Sequence, residues 1–324
     1  MSDNHYLSPT LEHWSGRKES QPNCYFHEVI RPLSIADLPP EEKGAALIGF
    51  AVEEGVRRNG GRTGAKVGPD ALRKVLGKMA LPHQDVSLLY DVGTVTCEDQ
   101  DLEGSQQKLA QIVAKLQASG FSSFVIGGGH EVAFAHYQGL FKAYPKKRIG
   151  ILQLDAHFDM RPLKDQKGTS GTSFAQIADY ASEHGGSIDH LVVGIQPYGN
   201  NRLLFERAVQ QKSRWILADD LKTVPGMIQK LIEDNEIIYV SLCLDVIASA
   251  FAPGVSAPQS LGILPKEIYS LLEKVFESPK TVAFDIAELS PPNDVGSITA
   301  HLAASFAALW FNKKWFRNSL RNNL

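Results

Sequence analysis

Short, continuous apolar runs that alternate with helical patterns constrain the fold of this chain more than any other feature of its sequence. The runs are Ala45–Val52, Ser87–Val92, Ser122–Ile126, Arg148–Leu154, His190–Ile195, Arg214–Leu217, Ile237–Leu244 and Thr281–Ile286. Several lack polar–apolar alternation, which is typical of parallel strands buried on both faces. The helical patterns between them are Pro69–Met79, Leu102–Ala118, Glu131–Tyr144, Ser173–His184, Val224–Asp234 and Pro265–Phe276. This order predicts βαβ units and a parallel sheet covered on both sides, with a βα barrel as the main competing architecture.

The chain divides into two parts by composition. Its 324 residues allow one large α/β domain or two average domains. Residues 1–44 are polar and dotted with prolines, so we interpret them as an N-terminal arm with little regular structure of its own. No repeat or linker follows the arm, and residues 45–324 are therefore predicted to form a single domain.

The overall composition disfavours nucleic acid and membranes as partners. The net charge is −3, the pI is about 6.4, and no lysine- and arginine-rich stretch occurs, which disfavours nucleic acid. No run approaches the roughly 18 apolar residues of a membrane span. The polar first residues argue against a signal peptide. Three widely spaced cysteines make no metal-finger pattern and are typical of a reducing cytoplasm, so we expect a cytoplasmic protein.

The most specific signal for chemistry is the segment Leu154–Asp159, which ends one of the apolar runs. Asp155, His157 and Asp159 alternate along it. If the strand persists, the three side chains project in the same direction. Sites in open α/β sheets form beyond the carboxyl ends of strands, and two carboxylates with an imidazole suit a divalent metal there. The alternative interpretation is a polar loop whose aspartates cap helices or form turns.

Three further apolar runs end in groups that could join such a site. Gly127–Gly129 lead into His130, where glycines allow a tight turn and a close approach of another group. Cys243 and Asp245 lie two apart at the end of a second run, and Glu288 follows a third. Each could be structural when taken alone, and the glycines could also form an ordinary turn or, less well, a phosphate loop. Four such ends at one sheet edge favour a metal site, because a buried charge needs a partner.

Together these motifs resemble those of a known family. Gly-Gly-Gly-His, Asp-Ala-His-Phe-Asp, Ser-x-Cys-x-Asp and Asp-Ile-Ala-Glu occur in the order typical of the arginase, agmatinase and formimidoylglutamase family. Asn59–Ala65, followed by Gly68 and Pro69, resembles the family's glycine-rich N-terminal loop. The resemblance extends from about residue 45 to the C-terminus. It implies a three-layer α/β/α fold with an eight-stranded, mainly parallel sheet, in agreement with the eight apolar runs.

The resemblance also implies a centre of two manganese ions per subunit. His130 and Asp159 would bind one ion. His157 and Asp245 would bind the other, and Asp155 would bridge the two. Two divalent ions would lower the pKa of a water for attack on the substrate. The family often forms trimers or hexamers, so the resemblance implies, by analogy, a homo-oligomer.

Two catalytic groups follow from the same resemblance. Glu288 matches the glutamate that faces the amidine or guanidine of the substrate. Asp159 is a plausible proton shuttle to the departing amino group. No covalent intermediate is needed, so no nucleophilic role is assigned to Cys243.

Cys243 is the main departure from the family pattern, because that position is normally an aspartate that contacts both metals. We expect its thiolate to be a metal ligand that improves tolerance of softer ions such as zinc. The alternative is a small buried cysteine that only fills space. Two further departures count against an arginase: the terminal Asp-Pro is absent after Asp245, and the loop 168–174 has no histidine.

Local features are most similar to the formimidoylglutamase branch. They include Gly-Thr-Ser-Gly-Thr-Ser-Phe at 168–174 and Ala-Pro-Gly-Val-Ser-Ala-Pro at 252–258. That branch converts N-formimidoyl-L-glutamate and water to L-glutamate and formamide in histidine degradation. The substrate's carboxylates need cations or hydroxyl and backbone donors. Arg161 is the preferred cation, with Arg62, Ser170 and Thr172 as further candidates, although Arg161 could instead form a structural ion pair with a metal-site carboxylate.

Two other functions stay open at this point. One is a related enzyme that acts on a guanidine such as agmatine or guanidinobutyrate, whose far end would not require Arg161. The other is a non-catalytic family member in which Cys243 has weakened the metal site. Substrate profiling separates the first alternative, and the number of bound metal ions separates the second.

Overall fold

The computed structural model of the chain describes residues 5–38, 44–82 and 89–315. Its strands are β1 (Tyr6–Leu7), β2 (Ile30–Pro32), β3 (Ala45–Ala51), β4 (Leu89–Thr96), β5 (Ser122–Ile126), β6 (Ile149–Leu154), β7 (Asp189–Ile195), β8 (Arg214–Leu217), β9 (Ile237–Cys243) and β10 (Thr281–Ala287). Its α-helices are α1 (Phe26–Val29), α2 (Glu54–Asn59), α3 (Gly68–Gly77), α4 (Leu102–Ala118), α5 (Val132–Ala143), α6 (Ser173–Glu183), α7 (Arg202–Gln210), α8 (Val224–Asp234), α9 (Pro265–Phe276) and α10 (Ile298–Trp315). Every predicted run and helical pattern coincides with or overlaps an element, except that Ser87 and Leu88 lie outside the described residues.

The strands form one sheet in the order β1-β4-β3-β5-β10-β9-β6-β7-β8, with β2 also paired to β4. All described pairings are parallel except that of β1 with β4. In the described part of the chain, β8 lies at one edge and the short N-terminal strands lie at the other. The sheet is therefore open, which confirms the layered α/β prediction and excludes the βα barrel.

The expected number of eight strands was too low, because the sheet has ten. The eight strands from β3 onward are the ones that the apolar runs predict. The other two are β1 and β2, of two and three residues, which lie in the segment before residue 45. Strands this short have no readable periodicity, and they are fixed by their pairing with β4.

Two hydrophobic cores explain why the apolar runs are continuous. Phe124 and Ile126 of β5 pack into one core with α3, α8, α9 and α10, whereas Val125 packs into the other with α4 to α7. Successive strand residues point to opposite faces, so a strand covered on both sides is apolar at most positions rather than at every second one. No described helix has both the length and the apolar character that crossing a bilayer requires.

The topology brings the predicted chemical groups to one place. The neighbouring strands β5, β10, β9 and β6 lie at the centre of the sheet, and all of them run parallel. Ile126 pairs with Ile286, Ile286 with Leu242, and Leu242 with Leu154, so the four strands end at the same level. The groups that follow these ends therefore lie at one edge of the sheet, as the sequence predicted.

Candidate metal centre

His130 and two carboxylates form the first cluster at this edge. The His130 Nδ1 atom lies 2.8 Å from Asp155 Oδ2 and 2.9 Å from Asp159 Oδ2. Gly128 permits this arrangement, because a Cβ there would lie 1.6 Å from the Val52 carbonyl oxygen. The backbone of Asp159 has φ +49°, a left-handed conformation that is uncommon for a residue other than glycine. The cluster thus depends on close backbone packing as well as on its side chains.

His157 and Asp245 form the second cluster. The His157 Nδ1 atom lies 3.0 Å from Asp245 Oδ2 and 3.6 Å from Asp155 Oδ1. Ala156 and Phe158 alternate along the chain with Asp155, His157 and Asp159, and both are fully buried. The strand itself ends at Leu154, but burial still alternates beyond it, and His157 and Asp159 line a cavity while Asp155 lies beneath them.

The Asp155 carboxylate faces both clusters at once. Its Oδ2 atom is close to His130, and its Oδ1 atom is on the side of His157 and also accepts a hydrogen bond from the His157 N–H at 2.7 Å. Ligands about 2.0–2.2 Å from an ion and at right angles to one another lie roughly 3 Å apart. The measured separations match such edges, so the arrangement could hold two ions with one carboxylate between them.

Cys243 lies on the His130 side of the centre. Its sulfur, an imidazole nitrogen of His130 and an oxygen of Asp155 all lie within 4.8 Å of one another. The thiol is buried, and burial together with the charges of Asp245 and Asp155 raises its pKa well above the usual value. A neighbouring cation would reverse that effect, because coordination favours the thiolate strongly.

The buried carboxylates of the centre favour the binding of cations. Burial and the charge of Asp155 raise the pKa of Asp159 to about 6. Burial opposes protonation of His157, but Asp245 and Asp155 overcome it and raise its pKa to about 11. The buried Oδ1 atom of Asp245 has no hydrogen-bond partner among the described residues. Divalent cations would compensate these carboxylates and give the unpartnered oxygen a ligand.

Glu288 faces the same cavity from the end of β10. Its Oε1 atom accepts a hydrogen bond of 3.2 Å from the His130 N–H, and its buried Oε2 atom has no partner among the described residues. Burial raises the pKa of this carboxyl to about 7, against an opposing contribution from Ser256. The Glu288 backbone has φ +69°, which is costly for a residue with a long side chain. Such strain is typical of a functional position.

The clusters open into a cavity of about 180 Å³, which Arg161 and Ser170 also line. Arg161 is exposed, and it makes no ion pair within the part of the chain that the structure describes. Its backbone N–H donates to the Gly171 carbonyl at 2.8 Å, which ties it to the loop that carries Ser170. The structural ion pair considered for Arg161 is therefore absent from the described contacts.

The structure does not bring Arg62 and Thr172 into this cavity. Arg62 donates to the backbone carbonyls of Val255 and Ser256, at 2.5 and 3.2 Å. The Thr172 hydroxyl donates to the Thr169 carbonyl at 2.9 Å and helps to cap the turn that precedes α6. Both side chains hold loops around the cavity, so their contact with substrate stays a prediction without geometric support.

Several cavity residues carried no signal that sequence reasoning could use. Asn59, Asn200 and Ser256 line the cavity from three segments that lie far apart in the chain, and Asn59 is the last residue of α2. Asn59 belongs to the glycine-rich segment and Ser256 to the segment 252–258, so the motifs contained them without marking them. Asn200 has no such motif, and it also caps the backbone by accepting from the Phe158 N–H at 3.1 Å.

Comparisons with known proteins agree with this geometry. The sequence profile of the Arginase family matches residues 43–311. A formimidoylglutamase of Legionella pneumophila is 42% identical over 315 residues, which cover 95% of this chain and 97% of that protein. The crystal structure of formimidoylglutamase from Bacillus subtilis superposes with a TM-score of 0.80 at 21% identity, over 93% of this chain and 95% of that one. A Trypanosoma cruzi formiminoglutamase with Mn²⁺ gives a TM-score of 0.74 at 24% identity, over 95% and 99% of the two chains.

Proposed function

This chain belongs to the arginase family, and from that premise we propose that it hydrolyses N-formimidoyl-L-glutamate to L-glutamate and formamide. The enzyme acts on the C–N bond of a linear amidine and serves histidine degradation. Its curated relatives at about 40% identity over most of the chain are formimidoylglutamases. The observation that carries the proposal is the Asp155 carboxylate, whose two oxygens face two separate groups of potential ligands.

In this proposal the centre would hold two Mn²⁺ ions. His130 and Asp159 would hold one ion, and His157 and Asp245 would hold the other. Asp155 would contribute to both, and Cys243 would be a ligand on the His130 side. When bound, the two ions supply Lewis acidity and a water of lowered pKa. The Mn²⁺ found with the Trypanosoma cruzi protein supports this choice of metal.

Glu288 is the proposed partner of the amidine. The substrate amidine is planar and cationic when protonated, and its N–H groups can donate charge-assisted hydrogen bonds to a carboxylate. The free Oε2 atom of Glu288 is available for this pairing, whereas Oε1 is held by the backbone of His130. Glu288 thus orients the reacting carbon toward the centre.

Asp159 and Arg161 have the other proposed roles. Asp159 lies 2.9 Å from His130 at the edge of the cavity, where we propose that it passes a proton to the departing amino group of glutamate. Arg161 and Ser170 lie where they can bind the substrate carboxylates, since both line the cavity. An arginine there disfavours agmatine, whose far end is a cation.

A substrate profile tests this proposal directly. Purified protein is treated with a chelator, reloaded with MnCl₂, and assayed for glutamate and formamide from N-formimidoyl-L-glutamate. Arginine, agmatine and guanidinobutyrate are the matched comparison substrates. We expect activity only after reloading and a clear preference for the formimidoyl substrate. Full activity of protein shown to be metal-free, or a preference for a guanidine, would overturn the proposal.

We also propose a cytoplasmic location. Cys24, Cys97 and Cys243 are all free thiols in the structure. Free thiols are usual in a reducing compartment.

A further inference from the structure

Gln153 is a buried amide beneath the metal centre that the proposed chemistry does not use. It lies in β6, two residues before Asp155, and its side chain is fully buried. Its Nε2 atom donates to Asp155 Oδ2 at 2.7 Å and to the His157 backbone carbonyl at 3.0 Å. Gln153 does not line the cavity. Any effect of Gln153 on the centre must therefore act through Asp155 and His157.

The orientation of this amide follows from the chemistry of its neighbours. An ionised carboxylate and a backbone carbonyl can only accept hydrogen bonds. The two groups nearest to Nε2 are of these kinds, so the NH₂ end of the amide must face them. The oxygen end then faces His190, whose Nε2 atom lies 3.0 Å from Gln153 Oε1. His190 must therefore donate from Nε2.

His190 and Ser213 complete a chain of hydrogen bonds behind Gln153. Burial and the nearby charge of Arg214 lower the pKa of His190 to about 3, so the ring is neutral and carries one N–H. With the proton on Nε2, Nδ1 accepts from the Ser213 hydroxyl at 3.0 Å. Phe174 stacks on the His190 ring at 4.9 Å with an interplanar angle of 7°, which fixes the plane of the ring.

We propose that Gln153 is a positioning residue that sets the rotation of the Asp155 carboxylate, and that His190 and Ser213 fix the direction of the Gln153 amide. The inference rests on the proposed two-metal function. The backbone N–H of His157 holds Asp155 Oδ1, and Gln153 holds Oδ2. With both oxygens held, one lone-pair direction of each atom stays free for a metal. Partners that orient a ligand in this way typically affect metal affinity about 10- to 100-fold.

Gln153→Met and Gln117→Met form a matched pair for the test. Gln117 is also a buried glutamine, and its Nε2 atom donates to Ser123 Oγ and to the Val282 carbonyl. Both variants lose buried hydrogen bonds, so both should lower the melting temperature of the metal-free protein. Only Gln153→Met should weaken Mn²⁺ binding, by roughly 10- to 100-fold in calorimetric titration of the chelator-treated full chain. Equal Mn²⁺ affinities in the two variants would overturn the inference.

His190 provides a second test, in which one variant should weaken Mn²⁺ binding and a second should restore most of it. His190→Leu removes the donor to Gln153 and should also weaken Mn²⁺ binding. His190→Gln keeps an N–H donor at a similar reach and should restore most of the affinity. Nitrogen NMR of the wild-type protein should find the His190 ring neutral with the proton on Nε2. A proton on Nδ1, or the same affinity loss in both variants, would contradict the assigned chain of hydrogen bonds.

These measurements separate the inference from the proposed function. Wild-type protein that binds two equivalents of Mn²⁺ but does not hydrolyse N-formimidoyl-L-glutamate would refute the proposed substrate. The metal titrations of the Gln153 and Gln117 variants would still decide the positioning role. Wild-type protein that binds no divalent ion would refute both.

Discussion

The metal-facing floor and the substrate-facing rim of the cavity are built differently. The floor consists of the proposed metal ligands, which lie at or just beyond the ends of adjacent strands and are buried or half-buried: His130, Asp155, His157, Asp159, Cys243 and Asp245. The rim consists of polar residues that line the cavity from the end of α2 and from turns and loops: Asn59, Arg161, Ser170, Asn200 and Ser256. The Asp155 carboxylate in the floor is held by Gln153 and by the His157 N–H, whereas the Arg161 side chain in the rim is exposed. Metal ligands are best held by rigid strand ends, whereas a rim built largely from loops and turns can adapt to different substrates.

The largest expected effect comes from breaking the floor at Asp155. Asp155→Asn removes a charge and one bridging oxygen, so the protein should retain little Mn²⁺. Activity should fall on the order of a thousandfold or more, because the ions supply several kcal/mol of transition-state stabilisation. Metal analysis after gel filtration checks the first expectation, and the glutamate assay checks the second.

Glu288→Gln is the control for Asp155→Asn. Glu288 lies over the same cavity, but it is not a proposed ligand. The variant should lose activity and keep its Mn²⁺. If Glu288→Gln lost as much metal as Asp155→Asn, the assignment of Asp155 as the bridging ligand would be wrong.

Cys243 should give the next largest effect, since it belongs to the floor but is softer than a carboxylate. Cys243→Ser should weaken Mn²⁺ binding on the order of 10- to 100-fold. Cys243→Asp should keep both Mn²⁺ and activity, because an aspartate there restores the family pattern. Metal titration of both variants is the measurement. Unchanged Mn²⁺ affinity in the Ser variant, with a thiol that reacts freely in the loaded wild type, would identify Cys243 as packing alone.

Arg161 tests the rim, where the effect should be on substrate and not on metal. A charge-assisted hydrogen bond contributes about 1.5–3 kcal/mol, which corresponds to roughly 10- to 100-fold in affinity. Arg161→Ala should therefore raise KM for N-formimidoyl-L-glutamate by about that factor. Its Mn²⁺ content should stay at the wild-type level. A loss of metal would instead assign Arg161 to the support of the floor.

Arg62 should give the smallest effect of the series. Its side chain holds the backbone at Val255 and Ser256 and lies outside the cavity lining. Arg62→Ala should cost about 1 kcal/mol of stability and shift Tm by a few degrees. Its KM should change far less than that of Arg161→Ala. Thermal melts and steady-state kinetics of the two arginine variants make this comparison, and a larger KM change at Arg62 would reverse the assigned roles.

The same difference between floor and rim explains how much the sequence could predict. Asp155 and His157 follow one apolar run and Cys243 lies at the end of another, and parallel strands bring the ends of such runs together. The order of apolar runs and helical patterns was therefore enough to predict the layered fold and the place where the floor residues meet. The rim depends on contacts between residues that are far apart in the chain. Arg62 and Val255, for example, are 193 residues apart, and no pattern in the sequence indicates that they meet.

Two other features were beyond sequence reasoning for physical reasons. His190 lies in an apolar run, where nothing local indicates that its partner is Gln153, 37 residues away. The helix α10 was missed because it is apolar around most of its circumference and shows no amphipathic pattern. Both features are set by tertiary packing, which single-sequence periodicity does not record.

Anomalous diffraction from crystals of the Mn²⁺-loaded protein tests the central claim most directly. Data collected on both sides of the manganese absorption edge locate the ions without reference to activity. The account predicts two manganese peaks in each subunit, one beside each oxygen of Asp155, with His130 at the first and His157 at the second. A single peak, or two peaks that do not share Asp155, would contradict it.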